Sequence, residues 1–295
     1  MSRTTRLVGA LLLLLWFAPI AQAAMPSSSP PPLRIGLTPV FLDDQAAFLD
    51  QWRAFLQVHL KRRIIFVQRG SYREIVDLLR DGKLEFAWLC GYPYVRDRNH
   101  FRLAAVPLYR GEPLYHSYLI VPAGDMQTRS INDLRGKIFA FSDPDSNSGH
   151  LYPEYLLAKQ GLQPASFFAK GFYTWSHRKV VEAVASGLAQ GGAVDGYVWD
   201  TLSRTHPELT ARTRIVTESP QFGFPPIVAS RSVSKRNIAA FQEVLFGMVH
   251  DDEGAYLLDR LNINGFVYGD NRLYDSIADM FRFVDKQRLN ASQGH

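Results

Sequence analysis

Cysteine is almost missing: Cys90 is the single one in 295 residues, so no intramolecular disulfide can form. An unpaired thiol in an oxidising compartment is expected to be buried and inert. No Cys/His set has metal-ligand spacing and no H-E-x-x-H occurs, so no metal is expected. G-x-G-x-x-G, Walker A and the nucleophile elbow G-x-S-x-G are also absent, and with them the usual signals of nucleotide cofactors and serine hydrolases. Basic clusters are sparse. His59-Leu60-Lys61-Arg62-Arg63 is the one local run and reads as a solvated helix end, which does not point to nucleic acid. No apolar run reaches the roughly 20 residues of a comfortable membrane span.

What the first residues do contain reads as an export signal. Arg3 and Arg6 form a positive start, Leu7 to Ile20 is apolar but broken by Pro19, and Ala21-Gln22-Ala23 is a small-x-small cleavage site. Cleavage after Ala23 and a soluble exported protein are expected. The lack of a cysteine near that site speaks against a lipid anchor. Residues 24–32, rich in Ser and Pro, read as a disordered leader. Removing the two arginines of the signal leaves 31 basic residues against 28 acidic ones. That small positive excess favours an anionic ligand only if it is gathered in a cleft. The remaining 272 residues are enough for two domains.

Short apolar runs alternate with amphipathic segments, the order of a parallel α/β sheet. Leu33 to Leu37 and Ile64 to Val67 read as strands around a helix from Gln45 to Leu60 with Phe48, Trp52, Phe55, Leu56 and Leu60 on one face. Ser71 caps a helix that Asp81-Gly82 stops, and Leu84 to Leu89 is the next strand. The second half repeats this design: Ile138 to Phe141 is a strand, Ser176 caps a helix with Val180, Val181, Val184 and Leu188 along one face, and Ala193 to Trp199 is a strand. Two lobes of one architecture follow. Tyr115 to Val121 and Pro225 to Ser230 read as two extended crossings that make a hinge, and the apolar stripes from Ile238 to Met248 and from Tyr274 to Val284 as C-terminal helices packing back on lobe one. The expected division is 33–121 for the first part of lobe one, 122–220 for lobe two, and 221–295 for the hinge return and the rest of lobe one.

The segment with the most chemistry is Asp143-Pro144-Asp145-Ser146-Asn147-Ser148-Gly149-His150, a turn between a strand and a helix. Ser146 and Ser148 are N-cap types with hydroxyl donors, and Gly149 lets backbone approach a ligand. The helix N-terminus would aim N–H groups and the positive dipole end at bound oxygens. The same residues would equally serve a plain capped helix.

The order Gly-Ser-Tyr-Arg-Glu at 70–74, Asp-Gly-Lys-Leu-Glu-Phe-Ala-Trp-Leu at 81–89, Tyr-x-Ser at 115–117, Asn132-Asp133-Leu134-Arg135-Gly136-Lys137, Asp-Pro-x-Ser-x-Ser-Gly at 143–149, and His177 with Asp195 resembles the phosphonate/phosphate-type substrate-binding proteins of ABC importers. The resemblance implies an α/β, two-lobed type II periplasmic binding protein fold closing on its ligand. It also implies a periplasmic, non-catalytic monomer that hands a small anion (phosphonate, phosphate, phosphite or similar) to an ABC permease in the inner membrane. Carried onto this sequence, it places Ser146, Asn147, Ser148 and Gly149 around the oxyanion, His177 as a further donor, and Tyr72 and Tyr115 on the facing side. Tyr197 stands near the position where amine-binding members carry carboxylates. Asn147 departs from the hydroxyl residue common at the middle of the triplet. Two other readings remain: a sensor that presents its closed form to a membrane histidine kinase, and a hydrolase using Ser148, His177 and Asp195 as a triad. His177 is expected to take up a proton when a dianion binds, or to share the one the ligand brings, so that binding tightens below the ordinary histidine pKa of about 6.5.

Overall fold

The computed structural model describes residues 30–38 and 46–293. The expected signal segment and most of the expected leader lie outside the described residues.

The first lobe is built where β-branched and aromatic runs meet amphipathic helices. Strand β1 (Leu33–Leu37) is followed by α1 (Ala46–Leu60), β2 (Ile64–Gln68), α2 (Tyr72–Arg80) and β3 (Phe86–Trp88). β1 pairs in parallel with both β2 and β3, as strand-helix-strand crossovers require. α1 buries Phe48, Trp52, Phe55 and Leu56, with Trp52 edge-on to Trp88 at 6.0 Å. α2 starts in a complete capping box, Ser71 with Glu74, and ends at Gly82 with φ +69°, a backbone that glycine adopts freely. Gly91 to Tyr94, which follow the strand, form a further helix, α3 (Gly91–Asp97). Gly91 packs closely on the C-terminal helix, where a Cβ would lie 2.6 Å from Ile277 Cδ1 and displace that side-chain end.

Chain then passes through β4 (Phe101–Leu108) and the two-residue β5 (Leu114–Tyr115) into β6 (Ser117–Pro122). The second lobe comprises β6, β7 (Ile138–Phe141), α4 (Tyr152–Ala158), α5 (Pro164–Phe167), β8 (Lys170–Tyr173), α6 (His177–Ala185), β9 (Gly191–Asp195), α7 (Gly196–Thr205), α8 (Pro207–Thr210) and β10 (Thr213–Glu218). β11 (Phe222–Gly223) and β12 (Ile227–Ser230) return to the first lobe, which α9 (Lys235–Gly247), α10 (Asp252–Arg260), β13 (Gly265–Val267) and α11 (Asp275–Gln293) complete.

Two sheets result, in the orders β13-β4-β12-β3-β1-β2 and β10-β6-β9-β7-β8. Between them β5 and β11 pair antiparallel, Phe222 opposite Tyr115. This ribbon is the crossing. The run from Tyr115 to Val121 therefore splits at His116: Tyr115 belongs to the ribbon, while Ser117 to Ile120 pair with β9 inside the second sheet. Ile227 to Ser230, for their part, pair with β3 and β4 in the first sheet. Tyr197, Val198 and Trp199 are helical rather than extended, because the Asp195 side chain accepts the Tyr197 N–H at 2.9 Å and caps α7. The cap overrides the β-propensity of Tyr-Val-Trp. α9 and α10 pack on the first lobe, and α11 lies along α3 and also α4 of the second lobe.

Candidate functional site

The turn after β7 widens instead of starting an ordinary helix. Leu151 N–H donates to Ser146 C=O at 3.0 Å, a five-residue step, and residues Asn147–Leu151 form a π-helical turn, a feature frequent at functional sites. The helix ladder begins only there, so the N–H groups of residues 147–150 precede it. Gly149 N–H donates to Ser146 Oγ at 3.0 Å, and Asn147 N–H to Cys90 Sγ at 3.2 Å. A Cβ on Gly149 would sit 1.9 Å from Ser142 Oγ and 3.1 Å from His177 Cε1. Glycine is thus what allows β7, the turn and α6 to meet.

Around this turn polar atoms are buried without partners. Among the described residues, Tyr72 Oη, Ser142 Oγ, Asn147 Oδ1 and Ser148 Oγ have none. A buried unpaired polar group costs about 1–3 kcal/mol, so four in one place mark a site rather than a core. They are mutually near: Asn147 Nδ2 donates to Tyr115 Oη at 2.9 Å, Ser148 lies beside that phenol, and the fields of Cys90, Asp143, Asp195 and Tyr115 act on Tyr72. Tyr72 stands at the first position of α2 in lobe one, Tyr115 on the crossing ribbon, and Ser146, Asn147 and Ser148 in lobe two. Burial pushes the Tyr72 and Tyr115 phenols well up, so both remain O–H donors.

His177 Nδ1 accepts the Asp195 N–H at 3.0 Å. The neutral ring then carries its proton on Nε2, which faces Ser146 Oγ at 3.4 Å. Burial pulls the imidazole down to about 3. Protonating Nδ1 would also break that backbone bond, so His177 is a neutral donor and the proton uptake expected from its sequence position is not supported. The triad reading fails on geometry as well: Nε2 faces Ser146 rather than Ser148, and the Asp195 carboxylate turns to the Tyr197 N–H instead of Nδ1.

Tyr197 lies elsewhere. Its hydroxyl donates to Leu261 C=O and its ring packs against Tyr109 and Phe224, in the seam behind the ribbon. Two neighbours of the site, Ser142 and Cys90, carried little signal in the sequence, and the titration of Asp195 carried none. Burial pushes the Cys90 thiol up to about 12, leaving it uncharged. Burial likewise lifts Asp195 to about 8, despite N–H donors from Val198 and Tyr197. An Asp closing a strand before a helix reads as a cap; only its distance from water makes it a titrating group near neutrality.

A cleft between two α/β lobes, joined by a two-strand crossing and lined by hydroxyls at a helix N-terminus, defines a substrate-binding protein of the type II periplasmic kind. A family model for the ABC transporter, phosphonate, periplasmic substrate-binding protein matches residues 35–274, and the chain belongs to that family. It is 23% identical over 277 residues to a probable ABC transporter phosphite binding protein of Prochlorococcus marinus, covering 88% of this chain and 92% of the relative. A binding protein component of an ABC phosphonate transporter from Pseudomonas aeruginosa superposes with a TM-score of 0.81 at 21% identity, covering 88% of each chain. A Prochlorococcus marinus protein in complex with methylphosphonate gives 0.78 at 20% identity, covering 88% of this chain and all of that one. At these identities the two structures establish the fold.

Proposed function

We propose that this chain captures a small phosphorus oxyanion or organophosphonate between its lobes and delivers it, as a periplasmic monomer cleaved after Ala23, to an ABC permease in the inner membrane. The observation that carries the ligand class is the cluster of buried, partnerless hydroxyls at Tyr72, Ser142 and Ser148 beside a helix N-terminus. Hydroxyl donors at the positive end of a helix suit an oxyanion without a formal positive charge. Ser146 fits the same role. Its oxygen receives the Gly149 N–H and faces His177 Nε2, which leaves its own O–H to donate.

Asp195 fits the same class. Lifted to about 8 by burial, its carboxyl is protonated at neutrality and adds no negative charge next to the anion site.

The test is a thermal-shift panel of phosphate, phosphite, hypophosphite, methylphosphonate, aminoethylphosphonate and sulfate, with Ser148→Ala as control. A ligand at 100 times its Kd should add about 2.7 kcal/mol. At least one phosphorus compound is expected to stabilise the protein, and Ser148→Ala should weaken the response by about 1.5–3 kcal/mol of binding. Silence across all phosphorus compounds would sink the reading.

A further inference from the structure

The two carboxylates of the oxyanion turn reach toward the other lobe. Asp143 Oδ2 accepts the Tyr72 N–H at 3.0 Å, at the first position of α2. Asp145 is held by Arg73, with Nε at 3.0 Å, and by Arg96 of α3. Asp145 is nearly inaccessible and Arg96 is largely covered, their side chains 6% and 17% exposed. Burial opposes the Arg96 charge, and the bonds and charges of Asp145 and Asp97 more than offset it. The same two aspartates also shape the turn: Asp145 N–H donates to Asp143 Oδ1 at 2.7 Å, and Ser146 N–H to Asp143 C=O at 2.9 Å.

We propose that Asp143 and Asp145 are positioning residues for ligand capture, a clasp by which the oxyanion turn of lobe two grips the N-terminus of α2 and the arginines of lobe one only when the lobes are shut. The proposal rests on the ligand reading given above. Two carboxylates within three residues of Ser146–Ser148 would repel an anion. The arginines neutralise Asp145, and they can do so only across the closed cleft. Closure therefore does two things at once: it brings Tyr72 to the ligand and removes the repulsion beside it. Contacts present in the closed state alone must break before ligand leaves, so they act on release rather than on encounter.

Asp145→Asn, Arg96→Gln and the double variant test this by stopped-flow release and association of methylphosphonate. The expected result is at least about a tenfold faster release for Asp145→Asn, with association unchanged or faster and ligand-free melting nearly unchanged. The double variant should lose no more than the worse single one, and Asp145→Glu should recover part of the loss. The difference between wild type and Asp145→Asn should shrink in high salt, because Arg73 is half exposed and screened. Equal release rates, or a loss confined to association, would overturn the clasp. If wild type binds methylphosphonate in no assay, the ligand reading is what fails for that probe. The clasp is then decided by the same release and association measurements with the phosphorus oxyanion of the panel that does bind wild type: faster release from Asp145→Asn supports it, and equal rates overturn it.

Discussion

At the scale of single residues, His177 and Asp195 show how burial reverses what a position implies. Heading a helix beside an anion site, His177 reads as a charged partner. In the fold it is fully enclosed, accepts a backbone N–H, and sits at about 3. Its folded pKa lies below the unfolded value of about 6.5, so the unfolded chain takes up a proton that the folded chain refuses. Stability contributed by neutral His177 is present above pH 6.5 and drains away as pH falls toward about 3. Asp195 runs the other way. Raised to about 8, it is protonated at neutrality and becomes a second negative charge as pH rises further. Anion affinity is therefore expected to be flat from about pH 5.5 to 7.5 and then to fall by up to about tenfold per unit. Hypophosphite, a monoanion throughout this range, is the probe for isothermal titration. Asp195→Asn should abolish the fall, and His177→Gln should leave its slope unchanged. A wild-type affinity that instead rises steadily below pH 6.5, and does so only with His177 present, would restore the charged histidine.

At the scale of elements, the wide turn between β7 and α4 is the part most sensitive to volume. Capping residues made Ser146 legible as a helix start, and the alternation of apolar runs placed the strand before it. Nothing in Asn147-Ser148-Gly149-His150-Leu151 announced a five-residue hydrogen-bond step. That step depends on β7 and α6 closing from both sides, with Ser142 and His177 against Gly149. Gly149→Ala is expected to cost about 1–3 kcal/mol as an overpacked core does, because the side chain it meets is short and fully buried. Urea unfolding would register it as a lower midpoint at constant slope. Ligand affinity should fall with it. Unaltered stability and affinity would mean that the turn can relax around a methyl group, and that its shape is not what holds the site.

At the scale of the molecule, the β5–β11 ribbon joins two sheets, one buried apolar cluster reaches into both, and polar contacts span the lobes: Tyr72 to Asp143, Arg96 to Asp145, and Arg288 of α11 to Glu154 of α4, with Nε at 2.8 Å. A ribbon of two paired residues on each side is a thin connection against lobes of this size, which is the arrangement of hinge closure. Small-angle scattering should show a smaller radius of gyration with saturating ligand than without it. Identical curves would indicate lobes that do not move.

The sequence by itself determined the local elements and their order, because strand and helix periodicities, the Ser71 capping box and the Gly82 stop are interactions within a few residues of one another. It also carried the family resemblance, since that lies in the order of short motifs. Three things were decided only by tertiary structure. Tyr115 to Val121 is continuous in sequence but divides between ribbon and second sheet, because strand pairing is chosen by partners roughly 70 to 110 residues away. Tyr197 satisfies its hydroxyl at Leu261 rather than in the cleft. The protonation of His177 and Asp195 follows from how far the closed lobes hold them from water, a distance that no local pattern encodes.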